Sequence, residues 1–279
     1  MDILQEKSIY IDKFPTGDTS QSTSTFLLTH LHTDHFYIPS SFCGDIYTTS
    51  PGSIVTSFLP NECCTVYVLQ YDTIYHTKKH NIVYKAFLTR HTPSSCGFIF
   101  PSLNIVYIGD SRMTISLLRH IPTSLPCMVL YDGLFEHVDI YGKEDHTLLS
   151  TVLQTLPIRA IRCVHYGILS YLKCYVPELK FRIDYQSVHP LIQRFIHYID
   201  LYDQKSDYII IGPKSMYKQY ILPSAMWFVV KKKNIGIYHK TDDGVVRVFA
   251  SCHALPEEIK MYKTKFNNHT FIPITTKVI

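Results

Sequence analysis

The sequence predicts a mixed α/β (α+β) protein in which packed β-sheets precede a region of alternating strands and helices. The first half contains short runs rich in Ile, Val, Tyr and Phe, separated by Pro, Gly, Ser and Asn, as in sheet proteins. From Asp145 onward strands and helices alternate, which is typical of an α/β unit. Hydrophobic residues make up 46% and charged residues 18% of the chain, a composition that excludes intrinsic disorder.

The predicted elements follow the chain in this order. Strands of the first half are expected at 8–11, 26–29, 45–48, 65–69, 82–88, 96–100, 105–108 and 127–131. Helices are expected at 146–156, 167–175 and 190–203, with a strand at 160–164. The C-terminal part predicts a strand at 245–249, a helix at 255–265 and a last strand at 270–275.

Composition also bounds the environment of the protein. The chain of 279 residues is long enough for two domains, and its formal charge of +4 permits a polyanionic partner without requiring one. Its eight cysteines include no C-x-x-C pair, and its N-terminus does not resemble a secretory leader. No apolar stretch approaches the roughly 18 residues that span a bilayer. We therefore expect a soluble intracellular protein with reduced thiols.

The segment "THLHTDHF" directly follows an apolar strand and concentrates residues that bind metals. Side chains two residues apart share a face of an extended segment, so His30 and His32 can reach one ion. Asp34 and His35, in the turn that follows, point to a second position nearby. This donor set suits zinc.

Two metal positions need further donors, and two residues at later strand ends are candidates. His91 follows the strand at 82–88, and Asp110 ends the strand in "NIVYIGD". A carboxylate in the Asp110 position could bridge two ions with its two oxygens. The predicted ligands are therefore His30, His32, Asp34, His35, His91 and Asp110.

The order of these motifs resembles the metallo-β-lactamase superfamily, and in particular its β-CASP nucleases. The resemblance rests on Asp12 in "YIDKF", then "THLHTDH", "RHTPSSCGFIF" and "YIGDSR". The later blocks "VLYDGLF" and "LPSAMWF", with the segment around His253, are similar to the DNA-repair members represented by Artemis, and place Asp132 and His253 at two further motif positions. The match extends over nearly the whole chain.

This resemblance implies an architecture and a cofactor. Residues 1–144, completed by 251–279, would form a metallo-β-lactamase αββα sandwich, and residues 145–250 an inserted α/β β-CASP domain. One or two divalent metal ions, with zinc the expected metal, would be bound at the junction of the two domains.

The implied function is a metal-dependent DNA nuclease of DNA repair, either a 5′-end exonuclease or a structure-specific endonuclease, located in the nucleus. Asp34 would orient or deprotonate the attacking water. Asp12 would hold a ligand histidine by a hydrogen bond. His253 would protonate the leaving oxygen or steady the scissile phosphate, with Asp132 hydrogen-bonded to it.

The expected partner is DNA, presented as single-stranded ends, duplex ends or hairpins. Basic side chains would contact its phosphates and an aromatic one would stack on an end base. The candidates are Arg112, Lys214, Lys231, Lys232, Lys233 and Tyr166.

Three alternatives remain open at this point. An RNA-processing β-CASP nuclease would carry a further histidine ligand near Thr275, and its absence favours the DNA-repair branch. A non-catalytic scaffold that binds DNA ends would have no reason to keep the full set of metal donors. A small-molecule hydrolase is disfavoured by the inserted domain and by His253.

Overall fold

A computed structural model divides the chain into two compact units. Unit 1 comprises Met1–Arg90, Ser94–Gly133 and Glu258–Thr276, and unit 2 comprises His91–Pro93, Leu134–Glu257 and Lys277–Ile279. The structure describes residues 4, 6–13, 25–32, 35–36, 38–39, 41–57, 59, 62–78, 81–134, 136, 160–162, 180, 182–183, 209–211, 226–231, 234–241, 244–248 and 253–274. Their mixed α/β structure confirms the predicted class, whereas the predicted boundaries at 144/145 and 250/251 stay a prediction.

The first sheet of unit 1 has four parallel strands in the order β1-β2-β3-β4. These strands are β1 (Ile9–Ile11), β2 (Thr25–Leu28), β3 (Asp45–Thr48) and β4 (Thr65–Val68). Every residue of β2 and β3 is buried, as expected for parallel strands that are covered on both faces. β4 is exposed at the sheet edge.

The second sheet of unit 1 has six strands in the order β16-β9-β8-β7-β6-β5. These are β5 (Ile74–His76), β6 (Val83–Leu88), β7 (Cys96–Phe100), β8 (Ile105–Gly109), β9 (Met128–Tyr131) and β16 (Thr270–Pro273). β5 to β8 pair antiparallel, whereas β9 lies parallel to both β8 and β16. The strand nearest the C-terminus thus completes the edge of a sheet begun in the first third of the chain.

The two sheets pack against each other through a shared apolar core. Ile9, Ile11 and Leu27 contribute from the first sheet, and Tyr84 and Phe98 are among those that contribute from the second. Burial of this set removes large apolar surfaces from water, which is the main favourable term in folding. Packing of both sheets around this core makes unit 1 a sandwich of two sheets.

The described helices are short and lie outside this core. They are α1 (Gly52–Thr56) and α2 (Pro256–Lys265). Two short 3₁₀ helices are found at Pro101–Leu103 and Ile115–His120. α2 buries Ile259 and Tyr262, and the Tyr262 hydroxyl donates to the carbonyl of Thr114. No helix among the described residues is both long and apolar enough to cross a membrane.

Unit 2 contains a six-stranded sheet in the order β11-β12-β10-β13-β14-β15. Its strands are β10 (Ala160–Arg162), β11 (Arg182–Ile183), β12 (Ile209–Ile211), β13 (Met226–Lys231), β14 (Asn234–Thr241) and β15 (Gly244–Val248). The first four in this order are parallel, and β13, β14 and β15 form antiparallel pairs.

The structure confirms the strands predicted for the first half of the chain to within about two residues, together with the helix at 255–265. β5 and α1 were not predicted, because each is short and only the buried side chains of longer elements produce a clear apolar period. The hairpin of β13 and β14 was also missed. The helices predicted at 146–156, 167–175 and 190–203 lie outside the described residues.

Gly97 in β7 allows close packing between neighbouring strands of the second sheet. A Cβ atom at this position would lie 2.4 Å from Phe87 Cζ and 2.6 Å from the carbonyl oxygen of Tyr107. We therefore expect Gly97→Ala to lower the free energy of unfolding by about 1–3 kcal/mol, measured by urea denaturation.

Gly52→Ala is the matched control, because its Cβ would meet only a methyl group of the exposed Val68, at 3.0 Å. This control should change the free energy of unfolding by less than about 0.5 kcal/mol. Equal effects of the two substitutions would contradict the packing argument.

Candidate metal centre

The candidate metal ligands of unit 1 follow the carboxyl ends of its strands. Asp12 follows β1, the histidines of "THLHTDH" follow β2, and Asp110 follows β8. Since β1 and β2 are parallel neighbours, their carboxyl ends lie at the same edge of the sheet. The glycine before Asp110, Gly109, has φ +73°, so a non-glycine residue would be strained at this turn.

Asp12 is a buried carboxylate that accepts hydrogen bonds from several elements. Its Oδ1 accepts the backbone N–H of Thr29 at 2.8 Å, and its Oδ2 accepts the Thr29 hydroxyl at 2.7 Å. The hydroxyl of Tyr107 in β8 donates to the same Oδ2 at 3.2 Å. Asp12 also has φ +58°, a left-handed conformation that Asp and Asn tolerate better than other non-glycine residues. Its position is therefore fixed by both sheets of unit 1.

The same carboxylate sets the tautomer of His30 through Thr29. Because the Thr29 hydroxyl donates to Asp12, its oxygen is left to accept from His30 Nδ1, 2.8 Å away. A proton on Nδ1 leaves the lone pair of the neutral ring on Nε2. His30 Nε2 faces His32 Nδ1 at 2.8 Å, so the lone pair points into the histidine cluster.

His35 lies between two carboxylates. Its Nδ1 is 3.1 Å from Asp12 Oδ2, and its Nε2 is 3.2 Å from Asp110 Oδ2. Burial opposes the charged form of the ring, but the charge of Asp12 and the hydrogen bonds to Asp110 and Asp12 outweigh it and raise the pKa of His35 to about 11. A divalent cation at His35 would have to displace a proton from this ring.

Two overlapping groups of donors could hold a metal ion. One contains His30, His32 and His91, all buried, and the other contains Asp12, His30 and His35. In each group the donor atoms lie within 4.8 Å of one another. Both groups contain His30, and its Nε2 can bind only one ion, so the two groups are alternative sets of donors around one cation position.

This donor set fits a divalent transition metal. Zinc binds imidazole nitrogen and carboxylate oxygen at roughly 2.0–2.2 Å, so donors on one ion stand about 3–3.5 Å apart. The donor atoms of each group, within 4.8 Å of one another, are close to that spacing. Imidazole and carboxylate also suit iron and manganese, so this donor set favours a divalent cation without singling out zinc.

The histidine proposed as a proton donor lies next to a predicted ligand. The rings of His91 and His253 meet edge to face with their centroids 4.6 Å apart. Asp132 directly follows β9 and is completely buried. Asp34, at the centre of the histidine motif, lies outside the described residues.

Arg112, expected as a DNA contact, is bound to a carboxylate of unit 1. Its side chain is buried, and its Nε and Nη2 donate to the Glu258 carboxylate at 2.8–3.1 Å. Glu258 also accepts the backbone N–H of Met113 at 3.1 Å. A guanidinium enclosed in this way holds α2 to the loop after Asp110, and its contact with DNA stays a prediction.

The other expected substrate contacts fall mostly beyond the described part of the chain. Lys231 is the last residue of β13, where it pairs with Asn234 of β14. Lys214, Lys232, Lys233 and Tyr166 lie outside the described residues. Their contacts to DNA stay a prediction.

Sequence reasoning missed Thr29, Tyr107 and Glu258 as supports of the site. Thr29 precedes the first histidine, so its hydroxyl could have been recognised as a partner for that ring. Tyr107 and Glu258 gave no local signal, because their partners are 95 and 146 residues away in sequence.

Comparisons with known proteins found similarity among solved structures alone. No family model and no curated protein matches the chain. The crystal structure of a protein of unknown function from Enterococcus faecalis V583 aligns over 94% of this chain and 78% of its own, with a TM-score of 0.54 and 13% identity. This similarity concerns the fold.

A second solved structure, the metallo-beta-lactamase fold protein YhfI from Bacillus subtilis, covers 54% of this chain and 70% of its own at 13% identity. Its TM-score of 0.31 is too low to support an argument about fold or function.

The hydrogen-bond chain from Asp12 through Thr29 to His30 predicts the effect of removing one hydroxyl. Thr29→Val keeps the side-chain shape but removes both hydroxyl contacts, so we expect the affinity for a divalent cation to fall by about 10–100-fold. Competition with a chromogenic chelator measures this change. His76→Ala, in the exposed strand β5, is the control and should leave the affinity unchanged. An unaltered affinity in Thr29→Val would contradict the role of the hydrogen-bond chain.

The buried pair of Arg112 and Glu258 predicts a large loss of stability from a change of one atom. Glu258→Gln removes the carboxylate charge that faces the buried Arg112 guanidinium, so we expect the free energy of unfolding to fall by about 3 kcal/mol. Glu257→Gln, at the exposed neighbouring position, should cost less than about 0.5 kcal/mol. Urea denaturation of both variants distinguishes the pair from a general effect on α2.

Proposed function

We propose that this chain is a metal-dependent hydrolase of the metallo-β-lactamase type that cleaves phosphodiester bonds in DNA. The observation that carries the proposal is the convergence of His30, His32 and His91 within 4.8 Å, beside a second group built from Asp12, His30 and His35. Structural histidines have no need to share donor distances of this kind, whereas ligands of one or two cations do.

The surroundings of the donors support a catalytic use of the metal. A bound divalent ion supplies Lewis acidity and lowers the pKa of a coordinated water towards about 7. Asp12 and Thr29 keep the His30 lone pair on Nε2, and Asp110 lies 3.2 Å from His35. Buried carboxylates at both nitrogens of His35 orient the ring before any substrate arrives.

The remaining roles follow the sequence motifs. Asp34 is proposed to orient and deprotonate the attacking water, since it lies between His32 and His35 in the histidine motif. His253 is proposed to donate a proton to the leaving oxygen, a role supported by its contact with the predicted ligand His91. Asp132 is proposed to orient His253.

A DNA-repair nuclease of the β-CASP branch is the substrate class that the sequence resemblance favours. The formal charge of +4 is compatible with a polyanion, and the Lys231–Lys233 run supplies the densest local positive charge in the sequence. Residence in the nucleus and an inserted β-CASP domain belong to the same proposal. Zinc is the proposed metal.

Cleavage assays on purified protein test this function. End-labelled single-stranded, duplex and hairpin DNA, with matching RNA, are incubated with and without chelator. We expect cutting of DNA that chelator abolishes and that added zinc restores, because the reaction needs the bound cation. Product lengths distinguish cleavage from a 5′ end from cleavage at a junction.

Variants identify the responsible site. His30→Ala and Asp34→Ala should reduce cleavage by at least about 100-fold, since each removes a group from the catalytic centre. His76→Ala should retain full activity because His76 lies exposed in β5. Chelator-resistant cutting, or full activity of Asp34→Ala, would refute the mechanism, and preferential cutting of RNA would refute the substrate class.

A further inference from the structure

Three cysteines form a cluster in unit 1 that the metal centre does not use. Cys43 lies two residues before β3, and Cys63 and Cys64 lie just before β4. β3 and β4 pair in parallel with Asp45 opposite Thr65. The backbone bond from Thr65 N–H to the Gly44 carbonyl, at 3.1 Å, extends this pairing upstream. Continuing the register by two residues sets Cys43 beside Cys63.

Side-chain contacts agree with this register. The Cys43 thiol donates to the carbonyl oxygen of Cys63 at 3.4 Å. The Cys63 and Cys64 thiols both donate to the carbonyl oxygen of Phe42, at 3.6 and 3.2 Å. All three sulfurs therefore gather around the short backbone segment Phe42–Cys43.

The cluster is also accessible to a small reagent. Cys63 is exposed, and Cys43 is partly exposed, whereas Cys96 and Cys127 are buried. A hydrogen bond with the Cys63 thiol, together with partial desolvation, raises the pKa of Cys43 to about 11. Cys43 thus keeps its proton at neutral pH while its neighbour Cys63 is the more accessible of the two.

Strand geometry permits a covalent link between these two residues. Adjacent strands are about 4.8 Å apart, and disulfides join residues whose Cα atoms are about 4.4–6.8 Å apart. Cys64 is the next residue along the chain, and the same register sets it opposite Gly44, which has no thiol. The geometry therefore distinguishes Cys63 from Cys64 as the partner of Cys43.

We propose that Cys43 and Cys63 are a thiol modification site that a low-molecular-weight disulfide, such as oxidised glutathione, converts to an intramolecular disulfide. The bond would fasten the exposed edge strand β4 to β3 and close the segment between them, which contains α1.

The exchange balances in two steps. The Cys63 thiolate attacks one sulfur of oxidised glutathione, and the other glutathione leaves as a thiolate that takes up the proton lost from Cys63. The Cys43 sulfur, after losing its proton to solvent, attacks Cys63 in the mixed disulfide and expels the second glutathione, which is protonated in turn. Two protein thiols are oxidised to one disulfide, and one oxidised glutathione is reduced to two thiols.

The test uses the full chain in buffers with increasing ratios of oxidised to reduced glutathione. Samples are quenched with an alkylating reagent and mapped by mass spectrometry. We expect Cys43 and Cys63 to lose alkylation together and a peptide that links them to appear. The thermal midpoint should rise by a few degrees in the oxidised form, because the link restricts the unfolded chain.

Variants make the result specific. Cys63→Ser, at an exposed position, should abolish the linked peptide, whereas Cys64→Ser and the buried-site control Cys127→Ser should retain it. Circular dichroism verifies that each variant is folded. Persistent alkylation of both thiols in fully oxidised buffer, or a link from Cys64 to either residue instead, would overturn the proposal.

Discussion

The buried carboxylate of Asp12 is the constraint on which unit 1 depends most. A carboxylate removed from water is costly unless hydrogen-bond donors replace its hydration. Asp12 obtains these donors from the Thr29 backbone and hydroxyl and from Tyr107, and it also faces His35. Because these donors come from both sheets and from the histidine segment, one charge fixes the distance between three parts of the unit.

The remaining supports of the site extend from this carboxylate. Tyr107 reaches Asp12 from β8, and the close approach of β7 to β8 at Gly97 keeps that strand in place. Asp110 lies three residues after Tyr107, and Arg112 then binds Glu258 of α2. The backbone between Asp110 and Met113 is therefore held at one end by His35 and at the other by Glu258. The donors are thus positioned by the fold before a cation binds.

The sequence predicted the strands and the histidine segment because both leave local signals. Alternating or continuous apolar runs identify strands, and the spacing of His30, His32 and His35 places them on one short segment. The supports could not be predicted, since Tyr107 and Glu258 contact residues far away in the chain. Arg112 illustrates the same difficulty, because its partner Glu258 lies 146 residues away in sequence.

The parallel order of the first sheet also separates the cysteine cluster from the candidate metal ligands. Asp12 and His30 follow the carboxyl ends of β1 and β2, whereas Cys43 and Cys63 precede the amino ends of β3 and β4. The amino ends and the carboxyl ends of these strands lie on opposite sides of the sheet. A strand of four residues at 3.3 Å per residue separates them by about 13 Å. The cysteine sulfurs, which are softer metal ligands than imidazole or carboxylate, are thereby kept apart from the histidine and aspartate donors. Parallel pairing in unit 1 thus lets a cysteine cluster and a candidate histidine metal centre occupy the same sheet without sharing ligands.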